Sequence, residues 1–173
     1  VLPLAVNEVT QLGLETIAAA FAYGAAAIRF LLHERPRHDI VGLTRTIELA
    51  EPLLAGLGLV GARIATIETD DPFALGETLR AVGLADGVPQ PAIFLPQGSK
   101  RDVLRFSLSE LHRVAPSPTD ILALPEGAPF GAVDIDVAGC TLCLSCVSAC
   151  PTGALADDPE IPRLGFTEEL CVQ

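Results

Sequence analysis

The chain has no methionine, even at position 1, and no cysteine before residue 140 of its 173. The missing initiator marks it as an expected piece of a longer chain. The late cysteines exclude a disulfide framework over the first four fifths of the sequence and fit a reducing compartment, so a cytoplasmic location is expected. Aromatic residues make up only 5%, while half of all residues are hydrophobic. A core is therefore expected, and it must be aliphatic. The opening Val1-Leu2-Pro3-Leu4 has no charged leader in front of it, so no signal peptide is read there. The longest apolar stretch, residues 17–32, is broken by Arg29 and falls short of the roughly 20 residues a membrane span needs. No basic patch is present to neutralise phosphates, which excludes a nucleic-acid binder. There is no internal repeat.

Charge is uneven. Residues 1–113 hold thirteen acids and ten Lys/Arg, a net of −3; residues 114–173 hold nine acids and only Arg163, a net of −8. Two readings fit: a solubility surface, or electrostatic steering toward a redox partner with an electropositive surface.

The first part alternates strand and helix at lengths that suit a parallel sheet. Strands are expected at residues 1–6, 25–32, 62–67 and 91–95. Helices are expected at 9–23, ended by Gly24, and from Asp39 through the apolar series Leu43, Ile47, Ala50, Leu54 and Leu57. Pro52 falls inside that series and implies either a kink or a second start. Two more helices are expected, one capped by Asp70 or Asp71 and carrying Leu75, Leu79 and Val82, the other opened by Ser99 with Asp102 and running to about Val114. The fold class expected is α/β: a mostly parallel, flavodoxin-like open sheet with flanking helices over residues 1–114. A connector rich in proline and glycine follows at 115–131, and then a small α+β cluster domain at 132–173. Within that last domain, 132–138 alternates Val133, Ile135 and Val137 with aspartates and reads as a half-exposed strand. Residues 154–156 and 164–166 flank a polar turn and read as a hairpin.

Several motifs carry less than they suggest. Gly56-Leu57-Gly58-Leu59-Val60-Gly61 fits G-x-G-x-x-G, but its glycines follow a helix and precede a strand, the reverse of a dinucleotide site. Gly98-Ser99-Lys100 has no glycine at the upstream position that a phosphate loop requires and reads as a helix cap. The loop at 33–39 lies at the carboxyl end of a strand, where His33, Arg35, Arg37 and His38 could hold an anion; a solvated basic loop is the alternative.

The informative stretch is Cys140-Thr-Leu-Cys143-Leu-Ser-Cys146-Val-Ser-Ala-Cys150-Pro151. Four thiols at gaps of two, two and three, closed by proline, match the spacing that holds a 4Fe-4S cluster. Zinc would want two separated C-x2-C knuckles or distant histidines, and neither is present. Thiols so closely spaced also make poor disulfide partners.

On these residues, with Gly153-Ala154-Leu155 after them, residues 131–171 resemble the first half of a bacterial ferredoxin domain with two 4Fe-4S clusters. In that arrangement the fourth cysteine of each motif ligates the other cluster. The resemblance thus implies Cys140, Cys143 and Cys146 as ligands of one cluster, and Cys150 with Cys171, at the position where a second motif would begin, as ligands of its neighbour. Neither set is complete in this chain, so a metal-free, partly occupied or poorly ordered loop is expected here. Cys171 as an ordinary buried thiol is the alternative.

Residues 1–97 also resemble the delta subunit of methyl-viologen-reducing hydrogenases, through residues 20–28, a loop, a leucine-rich helix and Gly61-Ala-Arg-Ile-Ala65. Those domains carry cysteines for a 2Fe-2S centre, some in the loop matching 33–39, and this chain has none there. The function expected is iron-sulfur electron transfer, a ferredoxin-type module carrying low-potential electrons to or from a redox enzyme and not catalytic alone. The alternative is a subunit, accessory or interaction protein of a larger oxidoreductase, in which the cluster is structural or sensory.

Overall fold

The computed structural model describes residues 1–35, 39–83, 86–119 and 121–171. They fall into two compact units, Val1–Pro125 and Glu126–Gln173.

Unit 1 mixes helix and strand. A short 3-10 turn at Val9–Gln11 precedes α1 (Leu14–Ala22). Gly13 interrupts what the apolar spacing predicts as one helix, because it takes an extended conformation as the N-cap of α1. At the other end Gly24 adopts φ 95°, the left-handed position where glycine costs least. Then come β1 (Ile28–Leu32), α2 (Val41–Gly56), β2 (Ile64–Glu68), α3 (Pro72–Ala81) and α4 (Lys100–Val114). β1 and β2 pair in parallel, Ile28 opposite Ile64 and Leu32 opposite Glu68, with α2 as the crossover. α2 runs unbroken through Pro52.

The core lies where α1 packs against α2 and α4. Phe21, Ile17, Leu43 and Leu111 are shut off from solvent there, and the Ser107 hydroxyl is satisfied by Val103 O at 2.7 Å. Both signals for α4 hold: Ser99 Oγ accepts from Asp102 N at 3.2 Å, and Asp102 Oδ2 accepts from Ser99 N at 2.9 Å. Arg63 is 8% exposed and clasps three loops. Its Nε donates to Val60 O at 2.9 Å, and its Nη1 donates to Ala26 O at 3.0 Å and to Asp86 O at 2.6 Å.

The sheet is smaller than the sequence predicts. Among the described residues it has two strands, not four. Val1, Leu2 and Leu4 are exposed and join no ladder. Residues 91–95 are bracketed by Pro91 and Pro96; Ala92 N donates to Ala22 O instead of to a strand, and Ile93 and Leu95 face solvent. α3 is capped as expected, with Asp71 Oδ1 accepting from Phe73 N at 2.8 Å, but it buries none of its side chains. The glycines at 56–61 form a helix end and turn: Leu59 N returns to Leu54 O at 2.9 Å, and Gly58 takes φ 82°.

The proline-rich stretch after α4 is tied to unit 1. Ser117 N reaches Leu57 O at 3.5 Å, and the Leu122 side chain lies where any Cβ on Gly56 would fall.

Unit 2 contains α5 (Ser145–Ala149) and the antiparallel hairpin β3 (Leu155–Asp157) and β4 (Leu164–Phe166), with Leu155 opposite Phe166. The hairpin expected at 154–166 forms. Its turn is fastened by Asp158, which accepts from Glu160 N at 3.0 Å and from Arg163 Nη2 at 2.8 Å. The strand expected at 132–138 does not form; Val133, Ile135 and Val137 are exposed and pair with nothing in a ladder. Among the described residues of this unit, only Ala128 and Ala154 are buried apolar residues.

Candidate metal centre

Asp136 delivers the first thiol. Its carboxylate accepts from Ala138 N at 3.1 Å, and its carbonyl accepts from Gly139 N at 3.2 Å and Cys140 N at 2.9 Å, the self-bonding turn that aspartate favours. A Cβ at Gly139 would meet Asp136 Oδ2 at 2.8 Å, so the end of that side chain would have to shift to admit one.

The backbone then enters the left-handed region twice, at Leu142 (φ 54°) and Leu144 (φ 60°), on either side of Cys143. Leucine has no local hydrogen bond to compensate there, and each such residue costs about 1–2 kcal/mol. Strain of this kind concentrates at functional loops. Leu144 is also the N-cap of α5, with no side-chain cap bond. Cys146 lies in α5 and Cys150 ends it, four residues on, so the two sit on one helical face. Pro151 and Gly153 then occupy the second and fourth positions of a turn in which Gly153 N returns to Cys150 O at 3.4 Å.

That turn aims amides at sulfur. The Cys150 thiol is pulled from 9.0 down to about 7, first by the backbone N–H of Leu155, then by that of Thr152, with the Thr152 hydroxyl and the Ala154 amide adding to them. Cys143 is lowered too, first by the Ser145 hydroxyl, then by the Ser145 amide, with the Thr141 hydroxyl contributing. Both sulfurs are thus favoured as thiolates, the form that binds iron. The hydroxyl contacts are Cys143 Sγ to Ser145 Oγ at 3.5 Å and Cys150 Sγ to Thr152 Oγ1 at 3.7 Å.

None of the five cysteines is joined in a disulfide. Cys140, Cys143 and Cys146 are exposed, and Cys150 and Cys171 are half-buried. Cys171 follows a 3-10 turn at Glu168–Leu170. Thr167 N donates to Ala154 O at 2.8 Å, tying the segment before Cys171 to the turn after Cys150. Among the described residues, no three His, Cys, Asp or Glu side chains converge on the scale of a single metal ion. Zinc in a four-thiolate site would hold its sulfurs roughly 3.8 Å apart, from bonds of about 2.3 Å. A cubane carries its thiolates on outer corners and needs them spread wider. The strained loop, the amide and hydroxyl donors and the thiolate-favouring surroundings fit such a group.

These features define an iron-sulfur site. The family model described as "4Fe-4S binding domain" matches residues 133–156, so this segment is of ferredoxin type and its cofactor is a 4Fe-4S cluster. No curated protein and no solved structure matches the chain. The likeness of residues 1–97 to the hydrogenase delta subunit therefore gains nothing from these comparisons.

Elsewhere, His33 Nδ1 lies 2.6 Å from Asp70 Oδ1, where β1 and β2 end. Pro36, Arg37 and His38 lie outside the described residues, so the anion loop is represented by His33 and Arg35 alone. No helix among the described residues is long and apolar enough to cross a membrane. The sequence reading missed the hydroxyls of Ser145 and Thr152. Their signal is present: each follows a cluster-loop cysteine by two residues.

Proposed function

We propose that this protein is an electron-transfer module of ferredoxin type, carrying low-potential electrons to or from a redox enzyme. The observation behind this is the Cys140–Cys150 spacing, with hydrogen-bond donors set around the Cys143 and Cys150 sulfurs. Cys140, Cys143 and Cys146 ligate one cluster, and Cys150 and Cys171 serve its neighbour. When bound, a 4Fe-4S cluster supplies one-electron chemistry. The chain's own residues supply thiolates, orient them through the strained loop and stabilise their charge through amides.

The first domain is a flavodoxin-like scaffold over 1–114, which the parallel β1-α2-β2 unit supports, with 115–125 packed on it ahead of the cluster domain at 132–173. Residues 126–173 hold eight acids against Arg163, and Arg163 is itself held by Asp158, which suits an electropositive partner. Five cysteines without a disulfide suit a reducing compartment, the cytoplasm.

Anaerobic reconstitution of the protein at its full natural length, followed by iron and sulfide analysis and EPR after reduction, tests the reading. Four or more irons per chain and a reducible signal support it. Stoichiometric zinc with little iron overturns it.

The reading as a subunit or accessory protein of a larger oxidoreductase is favoured by the exposed Phe73, Ile93 and Leu95 of unit 1. A cluster inert to reduction, with partner binding retained after Cys140→Ser, would select it.

A further inference from the structure

Two hydroxyls in unit 2 have no structural task of their own. Ser145 opens α5 but caps no amide, since the helix lacks a side-chain cap bond. Thr152 sits in the exposed turn after Pro151. Among the described residues, the one hydrogen-bond partner of each hydroxyl is a cysteine sulfur: Cys143 at 3.5 Å for Ser145, and Cys150 at 3.7 Å for Thr152. Both are normal separations for contacts to sulfur, and both span two residues. The left-handed turn at Leu144 folds Ser145 back toward Cys143, and the Pro151 turn folds Thr152 back toward Cys150.

Proton direction is then forced. A protonated Cys143 can donate to Ser145 Oγ, as the iron-free loop allows. A sulfur bound to iron carries no proton, so the hydroxyl hydrogen is the only one that can lie between the two atoms. We propose that Ser145 and Thr152 are positioning residues whose O–H groups donate to the Cys143 and Cys150 sulfurs and raise the reduction potential of the clusters these sulfurs ligate. The inference rests on the cluster-ligand reading above. Its physical basis is differential: one added electron increases the negative charge on sulfur, so each donated hydrogen bond stabilises the reduced state more than the oxidised one. Outer-shell donors of this kind tune metal centres generally.

The test uses the protein at its full natural length, reconstituted anaerobically, with Ser145→Ala, Thr152→Val and the hydroxyl-retaining Ser145→Thr and Thr152→Ser. Iron and sulfide content are measured first, then midpoint potentials by EPR-monitored titration. The expected result is about fivefold less reduced cluster at a fixed potential for each hydroxyl-deleting variant, about 40 mV at 59 mV per decade. Ser145→Thr and Thr152→Ser should restore the wild-type midpoint.

Loaded Ser145→Ala and Thr152→Val proteins with unchanged midpoints overturn the inference while leaving the cluster reading intact. So does an equal shift in the hydroxyl-retaining variants. If Ser145→Ala fails to load, Thr152→Val decides alone, because it acts on a different sulfur. A wild-type protein that binds no iron removes the cluster reading and this inference together.

Discussion

Replacing Arg63 by methionine should destabilise unit 1 by about 3 kcal/mol. The side chain is 8% exposed and donates to three carbonyls, Val60 O, Ala26 O and Asp86 O, that belong to separate loops. A hydrogen bond from a charged donor contributes about 1.5–3 kcal/mol, and acceptors stripped of a buried donor lose their solvation as well. The cost of burying a guanidinium works the other way and holds the total well below the sum of three such bonds. Methionine matches the stem in volume, so cavity formation adds little. Lysine keeps the charge but cannot span three acceptors with one ammonium, and should lose about 2 kcal/mol. The assay is urea unfolding followed by far-UV ellipticity, which reports mainly unit 1 because α5, the only α-helix among the described residues of unit 2, has five residues. With a slope near 2 kcal/mol per molar urea, the methionine variant's midpoint should fall by roughly 1.5 M. A methionine variant within about 0.5 kcal/mol of wild type, the range of ordinary surface changes, would refute the clasp.

Ser99→Ala removes one half of the α4 capping box and should cost about 1 kcal/mol in the same assay, with Ser99→Thr restoring most of it because its hydroxyl can keep both bonds to Asp102. In iron-free protein, alkylation of Cys150 followed by peptide mass spectrometry should reach half its maximal rate near pH 7; a midpoint near pH 9 would contradict the amide cradle. Because the folded-state value is depressed, the thiolate's contribution to the fold is complete above pH 9 and is lost as pH falls through about 7. Leu144→Gly relieves a left-handed leucine and should load iron at least as well as wild type. Leu144→Val places a β-branched residue at the same φ and should load markedly less; equal iron content in the two variants would argue against strain at this position.

What could be read in advance was whatever local chemistry decides. The α4 cap is written in Ser99 and Asp102, the helix end at 56–61 in its reversed glycine context, and the cluster in four cysteine gaps. The strands at 1–6, 91–95 and 132–138 failed because an apolar or alternating run becomes a strand only when an edge accepts it. Prolines 91 and 96 remove donors from one, and Val133, Ile135 and Val137 find no ladder in another. The left-handed residues at 142 and 144 had no signal at all, since leucine seldom occupies that region.

The scarcity of buried apolar residues in unit 2 has a consequence for the protein's lifetime. With Ala128 and Ala154 as the only buried apolar residues among those described in it, this unit draws much of its cohesion from coordination. Iron–thiolate bonding then adds folding free energy, and a copy that has not received iron and sulfide opens more readily to a protease. The abundance of intact protein would follow the supply of cluster as closely as the rate of its own synthesis.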